Sequence, residues 1–136
     1  MIGLLIVTHC NLGKELLNAA EFIVGRIEAA DAIAVTATTG SESLRNGIKE
    51  KVALLDQGAG VIILTDMFGG TPTNIGLTFL EANRIEVITG VNLPMLIKLA
   101  RLQASSDLLG AAREIRDTGK SAIWVASDLM RAEAKG

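Results

Sequence analysis

The sequence has no tyrosine, one tryptophan and three phenylalanines in 136 residues. With so few aromatic rings there is little on which unpaired bases could stack, which argues against single-stranded nucleic-acid binding. Positive charge is not in surplus either. Thirteen Lys and Arg stand against 15 Asp and Glu, a formal net charge of −2, so no phosphate-backbone footprint is expected. A single cysteine excludes an intramolecular disulfide and suits a reducing compartment. No apolar run reaches the roughly 18 residues that would span a bilayer. The start, Met1-Ile2-Gly3-Leu4, lacks the basic stretch that opens a signal peptide. These absences predict a soluble cytoplasmic protein with no nucleic-acid partner and no membrane insertion.

What the chain has in quantity is aliphatic side chains: 49% of residues are hydrophobic and 21% charged. That composition is outside the disordered range, and the length suits a single domain over residues 1–136. Apolar runs at 2–8, 32–37, 61–65, 85–89 and 121–126 read as strands covered on both faces. Helical periodicity fills the intervals. Leu16, Leu17, Ala20, Ile23 and Val24 form a first stripe, closed by Gly25. Thr39 and Glu42 have the spacing of a capping box ahead of Leu44, Ile48, Val52 and Leu55, with Gly58 and Gly60 after that helix. Thr71 and Pro72 are placed to cap and open a third helix whose inner side carries Ile75, Phe79 and Ala82. The segment from Asn92 to Leu102 is richer in apolar residues than one buried stripe needs, so it is either sunk in the core or shared with a second subunit. A fifth helix follows Ser105-Ser106-Asp107, with Leu108, Leu109, Ala112 and Ile115 inward and Gly119 as its stop, and a short terminal helix runs from Ser127 to Gly136.

Alternating strands and helices predict an α/β fold, a flavodoxin-like three-layer sandwich around a mainly parallel five-stranded sheet of order 2-1-3-4-5. In that order the connections reverse between strands 1 and 3, and ligands bind where the loops after those strands meet. Those loops are His9-Cys10-Asn11-Leu12 and Asp66-Met67-Phe68-Gly69-Gly70-Thr71. His9 is the only histidine in the chain. Imidazole can act at neutral pH as a nucleophile or proton carrier. Asp66 could accept a hydrogen bond from one ring nitrogen and so leave the other free, or it could merely cap its own turn. Gly69, Gly70 and Thr71 could form a phosphoryl cradle of backbone amides and a hydroxyl at a helix start, or a tight turn with an ordinary cap. Met67 and Phe68, with Leu12 on the facing loop, are candidate partner contacts; the alternative for Phe68 is a ring folded back beneath its loop.

Neither loop contains Lys or Arg, and the nearest basic residue is Lys14. A nucleoside triphosphate site would need a phosphate-binding lysine, metal-holding carboxylates or both. One carboxylate and a few amides suit a single phosphoryl group held in transit on a histidine. A flavodoxin would need a hydroxyl-rich first loop and aromatics for its flavin. A receiver domain would need an acidic pair after strand 1, and a hydrolase the pattern G-x-S-x-G. Zinc would need more ligands than His9 and Cys10. No metal or cofactor is expected, and Cys10 is read as a small loop residue.

Thr8-His9 followed by Leu12-Gly13, together with Asp66-Met67-Phe68-Gly69-Gly70-Thr71-Pro72-Thr73-Asn74, resembles the IIA component of the mannose/fructose/sorbose family of the bacterial phosphoenolpyruvate:sugar phosphotransferase system. The resemblance covers essentially the whole chain. It implies that His9 takes phosphate from the phosphocarrier HPr and passes it to a IIB component. It implies that Asp66 orients the imidazole and that Thr71 with the adjacent backbone contacts the phosphoryl group. It also implies a homodimer in which strand 121–126 is exchanged and runs antiparallel at the sheet edge. The family commonly has glycine where this chain has Cys10. No Ala/Pro-rich linker to a IIB domain is present, so the IIB partner is expected to be a separate protein. The alternatives are a phosphorylatable regulatory module that does not serve transport directly, and the phosphocarrier subunit of a phosphoenolpyruvate-dependent dihydroxyacetone kinase, which resembles this fold but usually lacks the Phe-Gly-Gly-Thr-Pro pattern.

Overall fold

The computed structural model describes residues 1–135, with side chains through Arg131. The elements alternate as expected: β1 (Gly3–His9), α1 (Leu12–Val24), β2 (Ala30–Val35), α2 (Ser41–Leu55), β3 (Val61–Thr65), α3 (Gly70–Leu77), β4 (Ile85–Ile88), α4 (Leu93–Leu102), α5 (Leu108–Ser121) and α6 (Ala126–Lys135). The sheet has four parallel strands in the order β2-β1-β3-β4.

The unbroken apolar runs of β1 and β3 follow from their central place. Leu4, Ile6, Ile62 and Leu64 face one core with α1, α4 and α5; Leu5, Val7, Val61 and Ile63 face the other with α2 and α3. All eight side chains are fully buried. Alternate residues of one strand thus fill opposite layers, and each needs to be apolar. Burying such a side chain stabilises by about 1.5–3 kcal/mol, so the two central strands fix the register of the sheet. That register puts Val7 beside Thr65. The two loops that follow these residues therefore start side by side at the carboxyl end of the sheet.

The helices differ from expectation mainly at their ends. α2 starts at Ser41 behind Gly40, with no side-chain cap. The Thr39 hydroxyl instead accepts from the backbone N–H of Thr36, a local turn that competes with capping. α3 starts at Gly70, one residue before the expected cap, because Gly69 and Gly70 adopt φ of +84° and +78° and turn the chain early. Thr71 consequently lies inside the first turn and makes no capping bond, and Pro72 follows it where an N–H is not required. Ala82 falls beyond α3 and is exposed, while Ile75 and Phe79 pack on the core as expected. In α1, Leu17 and Ala20 are buried, but Ile23 and Val24 are exposed because the last turn has no cover among the described residues. In α5, Ala111 takes the inward place expected of Leu109.

The apolar excess of α4 is answered within the chain. It packs between α1 and α5, burying Met95, Leu96 and Leu99.

The expected strand over 121–126 is not a strand here. Ser121 ends α5, Ala126 begins α6, and the amides of Ala122 and Ile123 bond back to the carbonyls of Thr118 and Lys120. A strand needs a neighbouring ladder, and in a single chain none pairs with this segment, which instead forms a turn at Ala122 and an irregular link over 123–125 between the two helices. Ile123, Trp124 and Val125 are left exposed. The expected terminal helix is α6, and Gly136 lies outside the described residues.

Candidate functional site

His9 is the last residue of β1 and Asp66 the first after β3. Two bonds run from the histidine to the same carboxylate oxygen. The backbone N–H of His9 donates to Asp66 Oδ2 at 2.9 Å, and Nδ1 of the ring lies 2.8 Å from that oxygen. An ionised carboxylate can only accept, so Nδ1 carries the proton and Nε2 presents its lone pair. Asp66 therefore orients the ring and does not cap its own turn. Its side chain is 11% exposed while that of His9 is 46% exposed, which places the acceptor inside and the ring outside. Asp66 Oδ1 is buried and has no partner among the described residues.

Burial pushes the Asp66 carboxyl up, but the hydrogen bonds from the backbone N–H and the imidazole of His9 outweigh burial, and the group sits below its ordinary value of 3.8. A carboxylate whose acidity is strengthened by folding stabilises the fold at pH above that ordinary value. The stabilisation is lost as pH falls through the lower value of the folded state.

The face of the ring that carries Nε2 meets Gly70. A Cβ on that residue would lie 3.2 Å from Cε1 and 3.4 Å from Nε2 of His9, and the positive φ of Gly70 would strain any other residue. Glycine here leaves Nε2 of His9 open. Beside Gly69 a Cβ would meet nothing within 4 Å, so this part of the loop is open space. The first amides of α3, at Gly70 and Thr71, have no partner inside the helix and lie at its positive end. They can hold an anion next to Nε2 through charge-assisted bonds of about 1.5–3 kcal/mol each. The Thr71 side chain is exposed at this end of the helix. Phe68 is 80% exposed, which excludes a ring folded beneath the loop, and Leu12 and Met67 are exposed as well. Met67 and Phe68 belong to the loop that carries Asp66, and Leu12 opens α1 just after the turn that follows His9.

Three residues of the site were given no role by the sequence pattern, although Thr8 and Thr73 stand in the motifs it singles out. Thr8 is fully buried; its hydroxyl accepts from the Gly13 amide at 2.8 Å and reaches the Cys10 carbonyl at 3.4 Å, which closes the turn after His9. Thr65 and Thr73 are also fully buried and hydrogen-bonded to each other beneath the second loop. Cys10 is exposed and left-handed, with φ +52°. This is the conformation for which glycine is suited, which explains why a glycine would be favoured at the position. Among the described residues no group of three or more His, Cys, Asp or Glu side chains could hold a metal ion, and no helix is long and apolar enough to cross a membrane.

A family model described as the PTS system fructose IIA component matches residues 3–115. Over 98 residues the chain is 34% identical to the PTS system mannose-specific EIIAB component of Escherichia coli, a match that covers 71% of this chain and 30% of that protein. The chain thus spans under a third of the length of that relative. It is 32% identical over 100 residues to the PTS system sorbose-specific EIIA component of Lacticaseibacillus casei, covering 71% of this chain and 70% of the other. The crystal structure of phosphotransferase system component EIIA from Streptococcus agalactiae superimposes with a TM-score of 0.84 at 26% identity, over 94% of this chain and 99% of that one.

Two outcomes follow from the geometry. Cys10→Gly is expected to raise unfolding free energy by about 1 kcal/mol or less, the left-handed penalty of about 1–2 kcal/mol being partly offset by the greater freedom of glycine when unfolded; a urea titration showing a loss of stability contradicts the strain assigned to Cys10. Asp66→Asn is expected to flatten the acid limb of the stability–pH curve below the ordinary carboxylate value. If wild type and variant lose stability in parallel there, the carboxylate is not stabilised by His9.

Proposed function

From the premise that the chain belongs to the PTS fructose IIA component family, we propose that it is a phosphoryl carrier of the phosphotransferase system, and that His9 is the residue that bears the phosphate. The observation that carries this reading is the pair of bonds from His9 to one oxygen of Asp66, which leaves Nε2 unprotonated and facing Gly70. Phospho-HPr is the donor and a IIB component the acceptor. The lone pair of Nε2 attacks phosphorus; the bond from phosphorus to the donor breaks, and the donor leaves with that electron pair. Because Nδ1 keeps its proton, the phosphorylated ring is cationic, and the Asp66 carboxylate balances the charge. The amides of Gly70 and Thr71, with the Thr71 hydroxyl, hold the phosphoryl oxygens. With no lysine or arginine in either loop the group is oriented without being trapped, and the same bond breaks again toward IIB. Leu12, Met67 and Phe68 supply apolar contacts to HPr and IIB in turn. The carrier serves sugar uptake and phosphorylation from the cytoplasm, with residues 1–136 as one domain.

The carrier is further proposed to act as a homodimer in which residues 121–126 pair antiparallel with β4 of a second copy. Support comes from the place of β4 at the edge of the four-stranded sheet and from the exposure of Ile123, Trp124 and Val125.

Incubation with phosphoenolpyruvate, enzyme I and HPr is expected to label the protein with an acid-labile, base-stable phosphate, and His9→Ala to reduce labelling to background; a labelled His9→Ala protein refutes the assignment. Trp124 is the sole tryptophan and is 57% exposed in the single chain. Its emission is expected to be blue-shifted in the dimer and to move red on dilution as sedimentation shows monomer appearing. Solvent-exposed emission at every concentration, with a monomer in the centrifuge, removes the exchanged strand.

A further inference from the structure

Beneath the loop that carries Asp66 lies a hydrogen-bonded relay whose direction can be worked out. Thr65 and Thr73 are both fully buried, and their hydroxyl oxygens are 2.6 Å apart. The Thr73 hydroxyl also bonds to the backbone carbonyl of Met67. A carbonyl can only accept, and each hydroxyl has one proton. Thr73 therefore donates to Met67, and Thr65 donates to Thr73. The relay runs from the end of β3, through the first turn of α3, to the carbonyl of Met67, the residue that follows Asp66.

The loop has good reason to need this tie. Oδ1 of Asp66 is buried without a partner among the described residues, a state that swinging the loop into water would relieve. The two bonds from His9 hold Oδ2 and do nothing for Oδ1. Gly69 and Gly70, both at positive φ, give the loop little stiffness of its own. Phe68 and the Met67 side chain point out to solvent and cannot anchor it by packing. What draws the loop inward is the Met67 carbonyl.

We propose that Thr73 is a positioning residue: its hydroxyl, held by Thr65, grips the Met67 carbonyl and so sets Asp66 against Nδ1 of His9 while joining that carboxylate to the start of α3. The same hydroxyl thereby fixes the spacing between the charge that orients the ring and the start of α3. This rests on the carrier reading for its kinetic consequence, though not for its structural one.

Thr73→Val keeps the shape of the side chain and removes the donor. It is expected to slow phosphoryl acceptance from phospho-HPr at least about tenfold, as displacement of a positioned group by an ångström can do, and Thr73→Ser is expected to restore the rate. The discriminating readout is the nitrogen-15 NMR of the His9 ring. Wild type is expected to hold the proton on Nδ1, and Thr73→Val to show a mixture of Nδ1–H and Nε2–H forms in protein that circular dichroism reports as folded. A variant with wild-type rate and wild-type tautomer overturns the proposal, as does a Thr73→Ser protein no better than Thr73→Val. Should the valine variant fail to fold, the wild-type spectrum decides: the relay requires a slowly exchanging Thr73 hydroxyl proton, and its absence refutes the relay. If wild-type protein takes no phosphate, the carrier reading fails, and the tautomer comparison still rules on Thr73.

Discussion

The site depends on the convergence of two N–H groups of His9 on one oxygen of Asp66. Each bond alone would leave freedom: a backbone contact says nothing about the ring, and a ring contact permits the carboxylate to drift. Together they fix the position of the acid and the tautomer of the histidine at once. The arrangement is possible because β1 and β3 are adjacent and parallel, with Val7 beside Thr65, so that His9, two residues on, and Asp66, one residue on, meet at the same end of the sheet. The sheet register is itself set by eight fully buried aliphatic side chains on two strands. Packing on both sides of the sheet is thus transmitted, residue by residue, to a hydrogen bond at its rim.

The rim is kept in place by threonines and glycines more than by charge. Thr8 closes the first turn from below, and Thr65 with Thr73 underlies the second. A buried hydroxyl can serve both loop and helix because it donates once and accepts from another direction. Above these ties, Gly70 leaves Nε2 uncovered. Cys10 is the exception to this economy. It occupies a left-handed conformation that glycine would adopt without strain.

Much of this was legible in the pattern of residues. Continuous apolar runs separated by helical stripes are characteristic of a parallel sheet covered on both sides, and the reversal of connections between strands 1 and 3 brings His9 and Asp66 together without any knowledge of side-chain contacts. The helix ends were less legible, because capping is a competition among neighbouring hydroxyls and amides. Thr39 turned to its own loop, and Thr71 was overtaken by the glycines before it. Thr73 stands in the motif that begins at Asp66 but its role was not legible, since a threonine two residues after a cap candidate looks like any other helical position until the fold buries it against Thr65.

The sequence by itself determined the layer order and which two loops meet, and so that His9 and Asp66 lie at the same end of the sheet, because these follow from hydrophobic periodicity and chain connectivity. Only the tertiary structure decided which ring nitrogen is free, which hydroxyls tie the loops, and that residues 121–126 are left without a ladder in a single chain. Those outcomes turn on distances of a few ångströms between residues far apart in sequence, and on whether a neighbouring strand is present to accept a bond. Thr73, for instance, became part of the site through burial against Thr65 and Met67, a relation that no local pattern encodes.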